Sequence, residues 1–269
     1  MKNIKNVWFG LLIALTACDA GGGDNKVPAA ADGRAWADPI EEAHRKEAWQ
    51  QEQVLKTRIA YFSGEEVRFA GWMYMETNGS KSRFELDNGS IAVFDGEKAW
   101  VVPDTGFQKA RFHLLTWPYF LAAPYKLNDP GSHLTDLGTR TLQGAELPAA
   151  KLTFDEGVGD TPDDWYIAYM DQETKRLKAL AYIVTYGKPE ENAEDDPHAL
   201  IYDEFVMVNK IPVATEWRLW EWNEKADVTK ALSHLRLGSI SFINMEDSLF
   251  IKPENATEDV LPELNVQQQ

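Results

Sequence analysis

The chain reads as a mainly β protein with a few helices (α+β): a single curved antiparallel sheet or half-barrel of about 11–12 strands, with an N-terminal helix and a helical lid. Three observations predict it. Ser63-Gly64, Asn78-Gly79, Asn88-Gly89 and Asp95-Gly96 fall at short intervals between alternating apolar runs, and Asn-Gly or Asp-Gly supplies the positive φ that tight hairpins require. The apolar period changes from helical to alternating after Gln53. One aromatic, proline-containing stretch, Phe107 to Tyr125, then interrupts the strands.

Residues 1–17 read as an export signal. Lys2 and Lys5 form a charged start, and Val7 to Leu15 form an apolar run too short to span a bilayer permanently. Leu15-Thr16-Ala17-Cys18 places the only cysteine of the chain behind small residues at a cleavage site. The segment resembles the lipobox of bacterial lipoproteins, which implies that Cys18 is lipidated and becomes the new N-terminus. Two or more acyl chains would hold the protein firmly, because each buried methylene contributes about 0.8 kcal/mol. With Cys18 so used, the body has no disulfide, no thiol nucleophile and no cysteine metal ligand. Residues 18–35 comprise Cys18 and a small, Gly-rich stretch with the composition of a flexible tether. In lipoproteins of enterobacterial type an aspartate after the lipidated cysteine retains the protein in the inner membrane. Asp19 holds that position, which favours the inner membrane while the outer membrane stays open. The resulting expectation is a bacterial cell-envelope protein, lipid-anchored and periplasm-facing.

Residues 36–269 are expected to form one domain. Asp38-Pro39 resembles a helix start, an N-cap followed by proline at the first helical position, with Glu41 and Glu42 suited to the positive end of the helix dipole. That helix should run to about Gln53. Val54–Tyr61, Val67–Glu76, Ser80–Leu86, Ser90–Phe94 and Ala99–Val102 then follow as a meander. Phe107 to Tyr125 is expected to be a helix kinked or ended near Pro118. Asp129-Pro130-Gly131 closes it with a turn. Seven further strands are expected at Leu134–Leu142, Ala149–Phe154, Trp165–Met170, Leu177–Tyr186, Leu200–Val208, Ile211–Trp222 and Leu237–Asn244. Asn209-Lys210 should be a tight hairpin, and the acidic stretch Pro189 to Pro197 an exposed loop. Such strands either close into a barrel or wrap as a curved sheet around helices.

The order of elements resembles the LolA/LolB-like superfamily, the outer-membrane lipoprotein carriers and their relatives. The residues that carry the likeness are the strand ending in Asp95-Gly96, the next strand with Trp100, the turn Pro103-Asp104 and the helix after it. Phe250-Ile251-Lys252-Pro253-Glu254-Asn255-Ala256 is similar to the family's terminal strand. The resemblance covers about Pro39 to Val260 and implies an incomplete barrel capped by helices, with an acyl chain or other hydrophobic group bound between them. The chain departs from the pattern in its length and in the acidic stretch 189–197, which sets lipoprotein shuttling itself apart from the binding geometry.

Charge excludes other classes. The sequence has 43 acidic against 27 basic residues and a net charge of −16, a surface that repels phosphate backbones, so no nucleic acid is expected as partner. The five histidines show no metal-ligand spacing and read as surface or loop residues, and no metal or cofactor is expected. Gly-x-Ser-x-Gly, Gly-x-Gly-x-x-Gly and P-loop motifs are absent from the sequence. The clusters Asp163-Asp164, Glu190-Glu191 and Asp195-Asp196 lack calcium-loop spacing and read as solvated charges. No catalysis is expected.

A hydrophobic carrier needs an incompletely filled apolar cavity. The expected ligand-binding residues are Trp72, Tyr74, Trp100, Leu114, Trp117, Phe120, Leu121, Trp220 and Trp222. Trp72 and Tyr74 share a sheet face, as do Trp220 and Trp222, because side chains two apart along a strand point the same way. The expected partner is a lipid or acylated ligand, with helix 107–125 opening to admit it. Two other readings stand beside this one: an envelope protein–protein interaction module with a filled core, and a carbohydrate-active or other hydrolase with acids beside exposed tryptophans.

Overall fold

The computed structural model describes residues 33–225 and 227–262. The signal segment, Cys18, Asp19 and the tether up to residue 32 lie outside the described residues. Thirteen strands form one antiparallel sheet that does not close. The first meander comprises β1 (Val54–Ser63), β2 (Glu66–Glu76), β3 (Ser82–Leu86), β4 (Ile91–Phe94) and β5 (Ala99–Val102). The second comprises β6 (Ser132–Leu142), β7 (Ala145–Phe154), β8 (Tyr166–Met170), β9 (Leu177–Tyr182), β10 (His198–Val208), β11 (Ile211–Asn223) and β12 (Asp227–Ile243). Each strand pairs with its neighbour in sequence, and the two meanders join where β1 pairs with β12, from Val54↔Ile243 to Phe62↔His234. A short β13 (Thr257–Glu258) finishes the sheet on β5.

The turn signals act as expected. Gly64, Gly79, Gly89 and Gly96 all have positive φ. Asn209 and Lys210 are both left-handed, the geometry of a two-residue primed hairpin between β10 and β11. Within β2, Gly71 lets the backbones of β2 and β3 approach closely, since a Cβ there would lie 2.3 Å from the Glu85 carbonyl oxygen.

Several expectations require correction. The first helix, α1 (Gly33–Ala43), starts five residues before Asp38, takes in the end of the expected tether and carries Pro39 inside it. Its start is held by packing, with the Cα of Gly33 pressed on the Leu134 backbone of β6, so tertiary contact overrides the capping signal. The chain then turns through left-handed Arg45 into a short α2 (Lys46–Trp49). Strand β12 begins ten residues before Leu237, because pairing with β11 carries it through a polar stretch whose alternation is interrupted by bulges. Segment 189–197 contains a short helix, α4 (Glu190–Glu194), that buries Ala193. Phe250 to Ala256 is turn and irregular chain, and the terminal strand follows it.

The aromatic helix, α3 (Ala110–Lys126), lies in the trough of the sheet and runs uninterrupted through Pro118 and Pro124. Each proline removes one N–H and so frees the carbonyl four residues back. Those carbonyls belong to Leu114 and Phe120, and both are re-bonded from the sheet. The Ser82 hydroxyl on β3 donates to Leu114 O at 2.6 Å, and the Tyr202 hydroxyl on β10 donates to Phe120 O at 2.7 Å. Ser82 and Tyr202 are both buried, so these bonds take the place of the missing helical ones without solvent. The C-terminal end of α3 is fixed by Trp49, which stacks on Tyr125 at 4.1 Å and donates its indole N–H to Thr77 O.

Around α3 the trough is filled by Leu55, Ile59, Met73, Met75, Phe84, Leu200, Trp217 and Leu235, among others. His44 and His113 belong to this interior and are not surface residues. His44 Nε2 accepts the Leu177 N–H, and burial, with Arg176 adding to it, lowers its pKa to about 3. His113 stacks on Phe107 and accepts the Trp117 indole N–H at Nδ1, with its pKa lowered by burial to about 4.

Tyr202→Phe and Ser82→Ala each strand a buried carbonyl, which costs about 1–3 kcal/mol. Urea unfolding should show a loss of that size for each variant, and an unchanged midpoint in both would refute the pinning of α3.

Candidate functional site

Between α3 and strands β7 to β9 lies a cavity of about 450 Å³, within the range of small-molecule sites. From α3 it is lined by Phe112, Leu115, Thr116, Tyr119 and Phe120; the sheet contributes Phe154, Tyr166 and Tyr182. The period of β8 and β9 dictates this wall, since Tyr166 and Ala168 on β8 and Leu180 and Tyr182 on β9 point into the trough while Ile167 and Ala181 point out. The rings pack edge-on or tilted: Phe120 lies 5.0 Å from Tyr182, Tyr119 lies 5.3 Å from Tyr166, and Phe154 lies 5.9 Å from Tyr166. Such offset contacts rigidify an aromatic wall without filling the space in front of it.

The outer rim is the segment from Asp155 to Asp164 between β7 and β8, in which Gly157 and Gly159 have positive φ. Two carboxylates set its position. Asp164 is buried and satisfied on three sides, accepting the Thr185 N–H at 2.7 Å, the Thr185 hydroxyl at 2.8 Å and the Thr161 hydroxyl at 2.8 Å. Burial nevertheless raises its pKa above the usual carboxylate range. Asp160 receives a two-pronged bond from Arg111 in the first turn of α3, at 2.6 and 2.8 Å. The backbone N–H of Arg111 also donates to Asp259 near the C-terminus. At the opposite end of the cavity Lys126 pairs with Asp129 at 2.5 Å. The reading of Asp163-Asp164 as solvated charges therefore holds for exposed Asp163 and fails for Asp164, whose hydrogen bonds come from nearby Thr161 and from Thr185, twenty-one residues on.

The hydroxyls of four tyrosines that line the cavity, Tyr119, Tyr166, Tyr182 and Tyr186, have no hydrogen-bond partner among the described residues. Tyr166 and Tyr182 are only 9% and 5% exposed. Burial raises all four above the usual phenol range, Tyr186 to about 12.

The sequence-selected residues divide between the two sheet faces. Leu114, Trp117, Phe120 and Leu121 are buried on α3 within the trough. Leu114 and Phe120 line the cavity, whereas Trp117 turns to the other flank against Tyr61, Phe69 and His113. Leu121 faces the cluster of His44, Trp49 and Tyr202. Trp72, Tyr74, Trp100, Trp220 and Trp222 lie on the convex face and are not brought to the trough. Trp72 and Tyr74 do share a face, under the Lys56 ammonium and against the C-terminal segment with Phe250; their alternates Met73 and Met75 face α3. Trp100 donates to Asp95 at 2.8 Å and carries Lys252 over its ring. Trp220 and Trp222 also share a face, in a second apolar cluster with Trp165, Ile201 and the Ala193 of α4.

Sequence reasoning passed over Phe112, Tyr119, Phe154, Tyr166, Tyr182 and Tyr186 as site residues. The spacing of Tyr166 and Ala168 on a strand adjoining Tyr182 was the available signal. On the far flank of α3 a broader hollow of about 750 Å³ is lined by Tyr61, Phe69, Phe107 and His113, with Arg68 and Asp87 also at its wall. Among the described residues no three His, Cys, Asp or Glu side chains gather to hold a metal ion, and no helix is long and apolar enough to cross a membrane.

No family model matches the sequence, and no curated protein matches it. Solved structures do share its fold. A LolA superfamily protein from Nitrosomonas europaea superposes with a TM-score of 0.54 at 12% identity, over 83% of this chain and 99% of that one. A DUF1329 family protein from Desulfovibrio piger gives 0.53 at 13% identity, over 82% and 97%. A domain from Vibrio parahaemolyticus named for outer membrane lipoprotein sorting gives 0.50 at 12% identity, over 81% and 97%. The fold is LolA-like.

Removing the Asp164 carboxylate leaves Thr185 and Thr161 donors unpaired in a buried site, at a cost of about 2–4 kcal/mol. Asp164→Ala should lower the urea midpoint accordingly; a variant as stable as the parent would show that the rim is not organised by this residue.

Proposed function

We propose that this protein is a non-catalytic, lipid-anchored binding protein of the bacterial envelope that takes a hydrophobic or acylated ligand into the cavity between α3 and β7–β9. Cys18 carries the anchor, residues after it form the tether, and the body faces the periplasm, with Asp19 favouring the inner membrane. The observation that carries the reading is the aromatic cavity itself: about 450 Å³ of space walled by Phe112, Tyr119, Phe120, Phe154, Tyr166 and Tyr182 between α3 and the sheet. A soluble protein retains such space at a cost in packing, and a ligand recovers it at about 25 cal/mol per Å² of apolar surface removed from water. The LolA-like fold, shared with a domain named for lipoprotein sorting, supports the same reading.

The route in follows from what holds each wall. Moving α3 as a lid would break the buried Ser82 and Tyr202 bonds to its backbone. The rim Asp155 to Asp164 is tied across to α3 by the Arg111–Asp160 pair, whose partners stay partly accessible to water. In this mechanism the rim moves and α3 stays.

Native mass spectrometry with lipid extraction, on the full chain taken from a bacterial envelope, should find a lipid or acyl species bound one to one. Thr116→Trp, which fills the cavity from α3, should abolish it. Asp160→Asn should speed exchange of the bound species severalfold with its identity unchanged. An empty protein in every preparation would overturn the binding role and favour a module that docks another envelope protein.

A further inference from the structure

A hollow of about 280 Å³ lies over β11 and β12 where they meet the β1–β2 turn at Gly64. Its origin is a break in strand pairing. Leu219 pairs with Ser233 and Trp220 with Ala231, so Leu232 is an extra residue on β12. Such a bulge bends its strand and re-aims the side chains beside it. Leu219, the half-buried Trp220 and Leu232 give the hollow an apolar flank.

The rest of the lining is cationic, in a chain whose net charge is −16. Arg218 stands directly opposite His234, and Glu216 directly opposite Arg236. Residues so paired share one face of the sheet. That face is the convex one, because the intervening Trp217 and Leu235 point into the trough. Glu216 is the only carboxylate among the described lining residues, and Arg236 already binds it at 2.7 Å. Asp203 on β10 lies 3.9 Å from Arg218 but is held at 2.6 Å by Lys178. Arg218 therefore faces an imidazole with no close carboxylate of its own, a pairing that gains nothing by itself and sets like charges opposite each other when His234 is protonated. The donors are also held in place. His234 stacks flat on Phe62 at 4.4 Å, and the Arg236 guanidinium lies over the same ring at 5.7 Å.

The arrangement restricts the ligand. A carboxylate has two oxygens in one plane and is satisfied by a single guanidinium fork, whereas a phosphate offers three oxygens in a tetrahedral arrangement. Arg218, His234 and Arg236 supply donors from three corners: a guanidinium fork, at least one imidazole N–H, and the N–H groups of Arg236 that Glu216 does not use. We infer that this convex hollow binds a phosphate monoester, its phosphate held by Arg218, His234 and Arg236 and its organic body packed on Trp220. The site stands on the opposite face of the sheet from the aromatic cavity and does not depend on the binding role proposed for it. Two sources carry the same group: a soluble organic phosphate and the headgroup of a phospholipid.

The test is calorimetric titration of the full chain at fixed ionic strength with phenyl phosphate, benzoate and dihexanoylphosphatidic acid below its micelle concentration. Phenyl phosphate should bind about ten-fold more tightly than benzoate, and Arg218→Gln should weaken it about ten-fold, as expected for loss of a charged hydrogen-bond donor. The Arg218 side chain is 55% exposed, so the variant should keep the parent's urea midpoint; the comparison of phosphate with carboxylate on the unaltered protein needs no variant. If dihexanoylphosphatidic acid binds more tightly than phenyl phosphate and Arg218→Gln weakens both, the source is a headgroup; the reverse order, with the same sensitivity, assigns a soluble phosphate. Equal binding of phenyl phosphate and benzoate, phosphate binding that Arg218→Gln leaves unchanged, or no binding of either phosphate overturns the inference. None of these results alters what lipid extraction finds in the cavity on the other face.

Discussion

Two hydroxyls hold the architecture together. α3 is the only long helix in the described trough, and its prolines would ordinarily break it, because each leaves a carbonyl with no partner four residues earlier. Ser82 from the first meander reaches one of those carbonyls and Tyr202 from the second reaches the other. The prolines thus turn a self-contained helix into one that bonds to both halves of the sheet. The β1–β12 pairing joins the halves along one seam, and α3 joins them a second time across the trough. Everything that defines the cavity, from the position of Tyr119 to the reach of Arg111, is measured from a helix fixed in this way.

The same geometry sets the character of the space on each flank of α3. Toward β1 to β3, α3 presents Trp117, and large rings from Tyr61, Phe69 and Phe107 gather around it and His113 at the wall of the broader hollow. Toward β7 to β9 it presents Thr116, Tyr119 and Phe120 to a wall of tyrosines and Phe154. Tyrosine gives this lining a mixed character, because its ring is apolar and its hydroxyl is not. The carboxylates of the rim add negative charge at its edge.

Much of the fold was legible in the residues. The turn glycines and the alternation of Val54 to Val102 specify the first meander nearly strand for strand, because tight-turn chemistry is local. Sharing of a face by Trp72 with Tyr74, and by Trp220 with Trp222, was equally local. Which face looks inward was not, since Met73 and Met75 alternate with Trp72 and Tyr74 and either set could be buried. The answer depends on the C-terminal segment around Phe250 and on α4, which cover the convex side with residues remote in sequence. Continuity through Pro118 was illegible for the same reason: its remedy is Ser82, more than thirty residues earlier. The start of α1 before Asp38 depends on Gly33 meeting β6, and the burial of Asp164 depends on Thr185. In each case the sequence encodes the propensity while a distant partner decides the outcome.

The placement of the tryptophans on the convex face, or with Trp49, Trp117 and Trp217 in the packed interior, leaves the described lining of the tyrosine cavity without an indole. Tyrosines are not sorted in this way, since Tyr74 and Tyr169 stand on the convex face and Tyr61, Tyr125 and Tyr202 pack against interior indoles. Tryptophan emission therefore reports the integrity of the sheet and its packed clusters, with no indole in the described lining to respond directly to what enters the space in front of β8 and β9.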